Sequence, residues 1–526
     1  MPIGSSRNAH YEPRNIEIDT GRILAHRPDH YAVIDVGSNS MRLVVYDDLC
    51  RAPFPRFNEK SLVALGDGFD DEDYFTDETM ERALSAMGRF KAISDAMGVS
   101  RVDVIATEAM RRAKNGPELI AKIQDQTGFK PRLLSGVEEA TYAAMGVISG
   151  FFQPRGLVGD IGGGSLEIAE VLGDRVGDRK VSMPLGALPV LALMKRSFED
   201  ARKSVDTILD SDLPPLLTEP VFYAVGGGWR ALARIHMAMN DWPIGVVHAY
   251  DLPALDVSEL TKSIARMSPE EVAQLPDVPS RRIPTLAASA LVMWRILRKL
   301  KPDRVVFSAL GLREGWLYAQ LDETEQYRDP LIEGALVTGL PDARVPEFSE
   351  ALGRWTDNLF PGEVQSDRRI RMAVCALTDI AWRDHQKVRA TDSFLRILQF
   401  PFIGITHPER AFLASAIMAR YGGKPAKLDT SAMQTLSPNE IKKAEFLGRA
   451  LLLGHRFSAG VPEILEHANL SIKLDIVRLE ISGTSAVPDS EAVMTRLSQL
   501  AKVFGLEAEI VLPNAQRHED SEDPSL

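Results

Sequence analysis

VIDVGSNSMRLVVYD, residues 33–47, and LVGDIGGGSLEIAEV, residues 157–171, share one plan. Each is an apolar run reaching an Asp, then an apolar residue, a Gly, a small polar or glycine turn, and a second apolar run. Apolar, β-branched runs broken by turn-formers read as strand–turn–strand. Asp35 and Asp160 lie 125 residues apart, close to one domain length. A duplicated domain with facing turns leaves a cleft between its halves.

Outward from these stretches the same alternation continues. RVDVIATEAMR (101–111), PRLLSG (131–136), VFYAVGGGWRALARI (221–235) and RVVFSALGLREGWLY (304–318) each begin as a strand, and the last two run on into a helix. Strands alternating with helices predict an α/β sheet architecture. From about 330 to 475 the strand signal fades. Helical stretches such as RRIRMAVCALTDIAWRDH (368–385), HPERAFLASAIMARYG (407–422) and PNEIKKAEFLGRALLLGHRF (438–457) take over. LDIVRLEIS (474–482), MTRLSQLAKVFG (494–505) and AEIVL (508–512) then predict a small β-α-β cap. The predicted plan is a disordered lead-in (1–29), two α/β domains (30–143 and 144–325), a helical domain (326–475), the cap (476–513) and an acidic tail (514–526).

Composition bounds the function. The chain has 526 residues, 61 Lys and Arg against 73 Asp and Glu, and a net charge of −12. Nucleic acid and membrane surfaces need a cationic field, so neither is expected as a partner. A polyanion held in a local basic site stays open. The two cysteines, Cys50 and Cys375, belong to no metal or redox spacing. No apolar run is long enough to span a bilayer, and the N-terminal residues lack a secretory apolar region. A cytoplasmic setting is expected.

Three loops carry candidate chemistry. Asp35 ends a strand, and Gly37, Ser38, Asn39 and Ser40 offer a tight turn with backbone N–H groups; a phosphate cradle and an ordinary hairpin both fit. Asp160 and Glu167 flank Gly162, Gly163, Gly164 and Ser165. Three glycines let the backbone approach a ligand, and two flanking carboxylates suit a Mg2+ bridging protein and phosphate oxygens; a flexible hairpin tip is the plain alternative. Gly226, Gly227 and Gly228 open a helix carrying Arg230 and Arg234, a ready anion site. That loop is neither the Walker pattern nor a dinucleotide fingerprint. Arg111 stands just past a predicted strand end, where it can reach a phosphoryl group. Arg112 and Lys114 fit a solvated helix start. Ser135 and Glu138 have capping-box spacing, which gives Glu138 a structural task. Glu139 has none beyond the helix dipole, and is a candidate general base for water.

Together IDVGSNSMRL, ATEAMR, LLSGVEEATYAAMGV, LVGDIGGGSLEI, AVGGGWRALA and FSALGLREG resemble, in order, the exopolyphosphatase / guanosine pentaphosphate phosphohydrolase family. The resemblance spans roughly residues 31–320. It implies duplicated actin/ribonuclease H-like domains around an interdomain cleft. It implies Glu139 as the base that polarises water, and Asp160 and Glu167 as residues placing Mg2+, with Asp35 the acid of the first loop and a metal candidate. Ser38, Asn39, Ser40, Gly162, Gly163, Gly164, Ser165 and Gly227 match phosphate-contacting positions, and Arg111 the arginine contacting the transferred phosphoryl group. The implied activity is Mg-dependent release of the terminal phosphate of inorganic polyphosphate. The alternatives are guanosine pentaphosphate hydrolysis at the same site and a non-catalytic polyphosphate or alarmone sensor. A monovalent cation is a further candidate cofactor, and a homodimer the expected assembly. A kinase or nucleotide-driven chaperone of the same superfold is disfavoured by Glu139 and by the lack of an adenosine segment.

The helical region resembles the family's extension related to His-Asp phosphohydrolases. Thr378-Asp379 stands where a His-Asp pair is expected, and His385, His407, His455 and His467 are dispersed. A degenerate, non-catalytic domain is predicted. Arg281-Arg282 and Arg368-Arg369 are candidates for enclosing a polyanion or for a dimer contact, or are solvated faces.

Overall fold

The computed structural model describes residues 16–26, 28–67, 73–213, 219–428, 430–482 and 490–512. β1 (Tyr31–Val36), β2 (Met41–Tyr46), β3 (Pro55–Ser61), β4 (Arg101–Ala106) and β5 (Arg132–Leu133) form one sheet, ordered β3-β2-β1-β4-β5. β2 runs antiparallel to β1 and β3, while β1, β4 and β5 are parallel. β6 (Arg155–Ile161), β7 (Leu166–Leu172), β8 (Arg175–Met183), β9 (Val221–Val225), β10 (Tyr250–Pro253) and β11 (Arg304–Phe307) form a second sheet, ordered β10-β11-β9-β6-β7-β8. Its β8-β7-β6-β9-β11 portion repeats the first sheet strand for strand and direction for direction, with β10 an added antiparallel edge. The chain therefore has the duplicated actin/ribonuclease H-like fold.

Burial explains the patterning. β1 and β6 are central and covered on both faces, so their apolar runs barely alternate. β3 is an edge strand and carries Arg, Asn, Glu and Lys. The helix Gly136–Gly150 lays Ala140, Ala144, Val147 and Ile148 against the second sheet. The helix Leu312–Gln320 returns Trp316 and Leu317 to Tyr31, Val33 and Val44 of the first. These two helices cross backbone to backbone. A Cβ on Gly315 would lie 1.7 Å from the Tyr142 carbonyl, and one on Gly146 2.2 Å from that of Gly311. A border between residues 143 and 144 therefore cuts a helix that belongs largely with the second sheet.

The described residues divide into two compact units. The first holds both sheets in residues 28–334 and also takes in 401–407. There Gly404 donates to the Gly150 carbonyl, and the Trp242 indole donates to His407 Nδ1 at 2.9 Å. The second holds 16–26, 335–400 and 408–512. The predicted helical domain, 326–475, thus starts too early and contains a segment of the first unit.

Within the second unit the helices Phe348–Thr356, Gln365–Ala376, Arg389–Gln399 and Pro438–Ser458 dominate. The last opens on a capping box formed by Ser437 and Glu440. A third sheet, β12 (Ala468–Lys473), β13 (Ile476–Ile481) and β14 (Glu507–Val511), packs with helix Glu491–Ala501. The cap therefore begins one strand earlier than predicted. The lead-in also needs correction: Thr20–Ala25 is a helix, capped by Asp19 and tied through Thr20 to Glu350. Residues 1–15 and the acidic tail lie outside the described residues.

Candidate active site

The two quoted loops take one hydrogen-bond scheme. In the first, Gly37 N–H donates to the Ser40 carbonyl, while the Ser38 and Asn39 carbonyls accept from Gly66 and Ala64. In the second, Gly162 N–H donates to the Ser165 carbonyl, while the Gly162, Gly163 and Gly164 carbonyls accept from Ala187, Leu188 and Gly186. The carbonyls are tied back on both sides. The N–H groups of Ser38, Asn39, Gly163 and Gly164 take no backbone partner among the described residues. Successive unpaired N–H groups form an anion-binding concavity. All four residues line one cavity of about 210 Å3, with Asp35, Gly37, Ser40, Gly162, Ser165, Glu139, Asp160, Glu167, Gly226 and Gly227.

Register places the carboxylates. Asp35 ends β1 opposite Arg42 of β2, and Asp160 ends β6 opposite Glu167 of β7. The equivalent position is thus a cation in one lobe and a second anion in the other. Directly opposed like charges destabilise a sheet pair. Burial raises the carboxyl of Asp160 to about 6, and Arg230 opposes that shift. Burial raises Asp35 too, against Arg313 and Arg42. Glu167 is pushed well up by burial and then by Glu139, although Ser182 donates to it at 2.9 Å. Hard oxygen donors directly opposed on one sheet face, Asp160 and Glu167, fit a divalent cation. Among the described residues no three His, Cys, Asp or Glu side chains already converge on a metal position.

Glu139 points inward from the first turn of its helix and is 7% exposed. Its neighbour Glu138 faces out, closing the capping box with Ser135 and pairing with Arg132 at 2.9 Å. Burial lifts Glu139 to about 7, against the hydrogen bond and charge of Arg111, with Asp160 and Asp35 adding to the rise. Arg111 hydrogen-bonds both the Glu139 carboxylate and the Leu134 carbonyl. Glu139 lines the cavity, and Arg111 reaches it through this pairing.

The third glycine loop splits by role. Gly226 has φ +103°, and a Cβ there would meet the Ile161 carbonyl at 2.5 Å and Asp160 Oδ1 at 3.1 Å. At Gly227 a Cβ would fall 1.9 Å from the Arg282 guanidinium, which lies over the loop. Gly228 is buried and abuts Ser289, 2.4 Å from a built Cβ, so no side chain fits there. The cationic wall of the cavity is Arg42, Lys60, Arg230, Arg282 and Arg313. Arg230 and Arg282 are anion candidates from the sequence; Arg42 and Arg313 carry no such signal, although they sit inside IDVGSNSMRL and FSALGLREG. Burial lowers Lys60 to about 8, helped by Arg282 and Arg281. An incoming anion offsets the repulsion among these crowded cations. A second cavity of about 660 Å3 shares Arg42, Lys60, Arg230, Arg282 and Arg313, and adds Arg234 and Arg281. Its other wall is apolar, with Phe54, Leu317, Tyr318 and Ile403.

The helical unit brings His455 and Asp379 together, which dispersed histidines did not predict. Arg344 donates to Asp379 at 2.7 Å and to His455 Nδ1 at 2.8 Å, and Thr378 meets His455 Nε2 at 3.0 Å. Guanidinium groups fill the position of a cation there. Burial, Arg420 and Arg344 hold His455 well below its usual range, so it stays neutral. His385 and His467 are exposed, and His407 is buried against Trp242.

Residues 52–324 match the family described as Ppx/GppA phosphatase, and residues 332–511 match the family described as Exopolyphosphatase, C-terminal. The first match begins after residue 47, so the first loop is tied to the second by their common hydrogen-bond scheme. Exopolyphosphatase 1 of Mycobacterium tuberculosis (strain ATCC 25618 / H37Rv) is 29% identical over 323 residues, 58% of this chain and 92% of that protein. Retrograde regulation protein 2 of Saccharomyces cerevisiae is 25% identical over 414 residues, 70% of this chain and 67% of that protein. The crystal structure of an exopolyphosphatase from Cytophaga hutchinsonii is 25% identical with a TM-score of 0.50, covering 55% of this chain and 97% of that one.

Proposed function

Because the chain belongs to the Ppx/GppA phosphatase family and is a phosphatase, we propose that it is an exopolyphosphatase releasing the terminal phosphate of inorganic polyphosphate. The observation that carries this is the pair of mirrored loops whose free N–H groups face a buried Glu139 across one cavity. Ser38, Asn39, Gly163 and Gly164 bind the terminal phosphoryl oxygens. Gly37, Ser40, Gly162 and Ser165 hold the two turns in shape. Arg42, Arg230, Arg282 and Arg313 bind and orient the following phosphates along the wall shared by the two cavities. Glu139, in its ionised form, accepts a proton from the attacking water and orients it in line with the breaking anhydride bond. Arg111 is a positioning residue: its hydrogen bond aims the Glu139 carboxylate. Asp35, Asp160 and Glu167 would hold a divalent cation, Mg2+ by preference. Such an ion supplies charge neutralisation on the phosphoryl oxygens.

The test is phosphate release from polyphosphate and from guanosine pentaphosphate, side by side. Polyphosphate turnover that depends on Mg2+ supports the reading; release from neither substrate overturns it. One observation favours guanosine pentaphosphate as a second substrate: the apolar wall of the larger cavity suits a nucleobase. Among the described residues no helix is long and apolar enough to cross a membrane. A cytoplasmic homodimer completes the proposal, and sedimentation measures its second half.

A further inference from the structure

Glu108 has a place in the cleft that the proposed chemistry does not use. It follows β4 and opens the short helix Glu108–Arg112. Thr107 fixes the turn by donating, through both its N–H and its hydroxyl, to the Val36 carbonyl beside the first loop. The Glu108 side chain then runs into the cavity. Its Oε2 accepts the Ser38 hydroxyl at 3.1 Å. A Cβ built on Gly164 would lie 2.0 Å from the same oxygen. One carboxylate oxygen therefore touches the phosphate loops of both lobes. Acids at helix starts are common, because the dipole favours them. This one makes no side-chain cap to its own helix and reaches across the cleft instead. No ion pair to it occurs among the described residues.

We propose that the Glu108 carboxylate is a built-in competitor: it occupies a phosphate seat between the two loops and must be displaced by substrate. This rests on the exopolyphosphatase reading of the same site. A carboxylate is an oxyanion, and this one lies against both loops whose N–H groups are read as the phosphate seats, accepting the Ser38 hydroxyl and abutting Gly164. A phosphate taking the same seat either expels it or suffers its repulsion. A chain of phosphates also engages the arginines of the wall and can meet that cost. Orthophosphate, with one seat, cannot. Glu108 thereby sets specificity for long polyanions and speeds loss of the orthophosphate product.

The experiment is calorimetric titration of orthophosphate into the full-length wild type, Glu108→Gln and Glu108→Ala, with Mg2+ titrated separately. Gln keeps the shape and can still accept from Ser38; Ala removes the group and guards against a misfolded first variant. Orthophosphate should bind both variants at least about tenfold tighter, a modest share of the Coulomb energy of two close, partly buried charges. Orthophosphate inhibition of turnover should strengthen in step. Unchanged or weaker orthophosphate binding overturns the proposal. So does weaker Mg2+ binding with phosphate affinity unmoved, which makes Glu108 a cation ligand. The titrations need no turnover. If the wild type hydrolyses no polyphosphate, the proposed function fails while the competitor test still reads.

Discussion

At the residue scale, Glu139 gathers most of the proposed chemistry. Glu139→Gln should keep substrate binding and lower turnover by about a hundredfold or more, as loss of a general base does. Steady-state phosphate release and equilibrium polyphosphate binding check the two halves. As the proposed general base, the acid works only when ionised. Its rise from the usual 4.5 to about 7 therefore predicts kcat/KM climbing with pH through about 7. Stability runs the other way. A carboxyl raised on folding binds its proton more tightly in the native state, so its contribution is full below 4.5 and is lost as pH rises through about 7. Glu139→Gln should accordingly melt higher than the wild type at pH 8, by calorimetry, and lose the acid limb of the rate profile.

At the element scale, glycine positions separate shape from chemistry. Gly186 donates to the Gly164 carbonyl, and a Cβ there would fall 2.3 Å from the Gly164 carbonyl carbon. Gly186→Ala must push the second loop out of register. It should raise KM for polyphosphate far more than it lowers the melting temperature. Gly315→Ala acts on the helix crossing, where the new methyl meets a backbone carbonyl. It should destabilise the first unit by about 3 kcal/mol, the scale of core overpacking, read by denaturant unfolding. The strands and loops were legible because period and turn chemistry are local. The capping box explained Glu138 and left Glu139 for the cleft, as the fold has it. Of the cationic wall, Arg230 and Arg282 were legible as anion candidates; Arg42, Lys60 and Arg313 were not, since they come from distant segments and meet only through tertiary packing. The packing of Gly228 on Ser289, 61 residues away, was hidden for the same reason. His455 lies on the helix Pro438–Ser458 and Asp379 in the turn after Gln365–Ala376, and spacing says nothing of such a meeting.

At the scale of the whole molecule, a net charge of −12 coexists with a wall of arginines in one cleft. The two are compatible because the proposed anion seats are backbone N–H groups and partly buried guanidiniums gathered in one cavity. The chain should show no measurable affinity for double-stranded DNA at physiological salt by fluorescence anisotropy. The same conditions should leave polyphosphate turnover intact.

The first unit is discontinuous in sequence: it leaves off at 334 and recovers 401–407, anchored through Gly404 and His407. Modularity here is not that of beads on a string. A gene fragment ending at 334 discards a piece of the first unit, and one starting at 335 carries that piece away as a stray. Complementation of two half-genes would succeed only where the split respects the stitch, and a domain swap with a relative would have to exchange two separate exons' worth of chain at once.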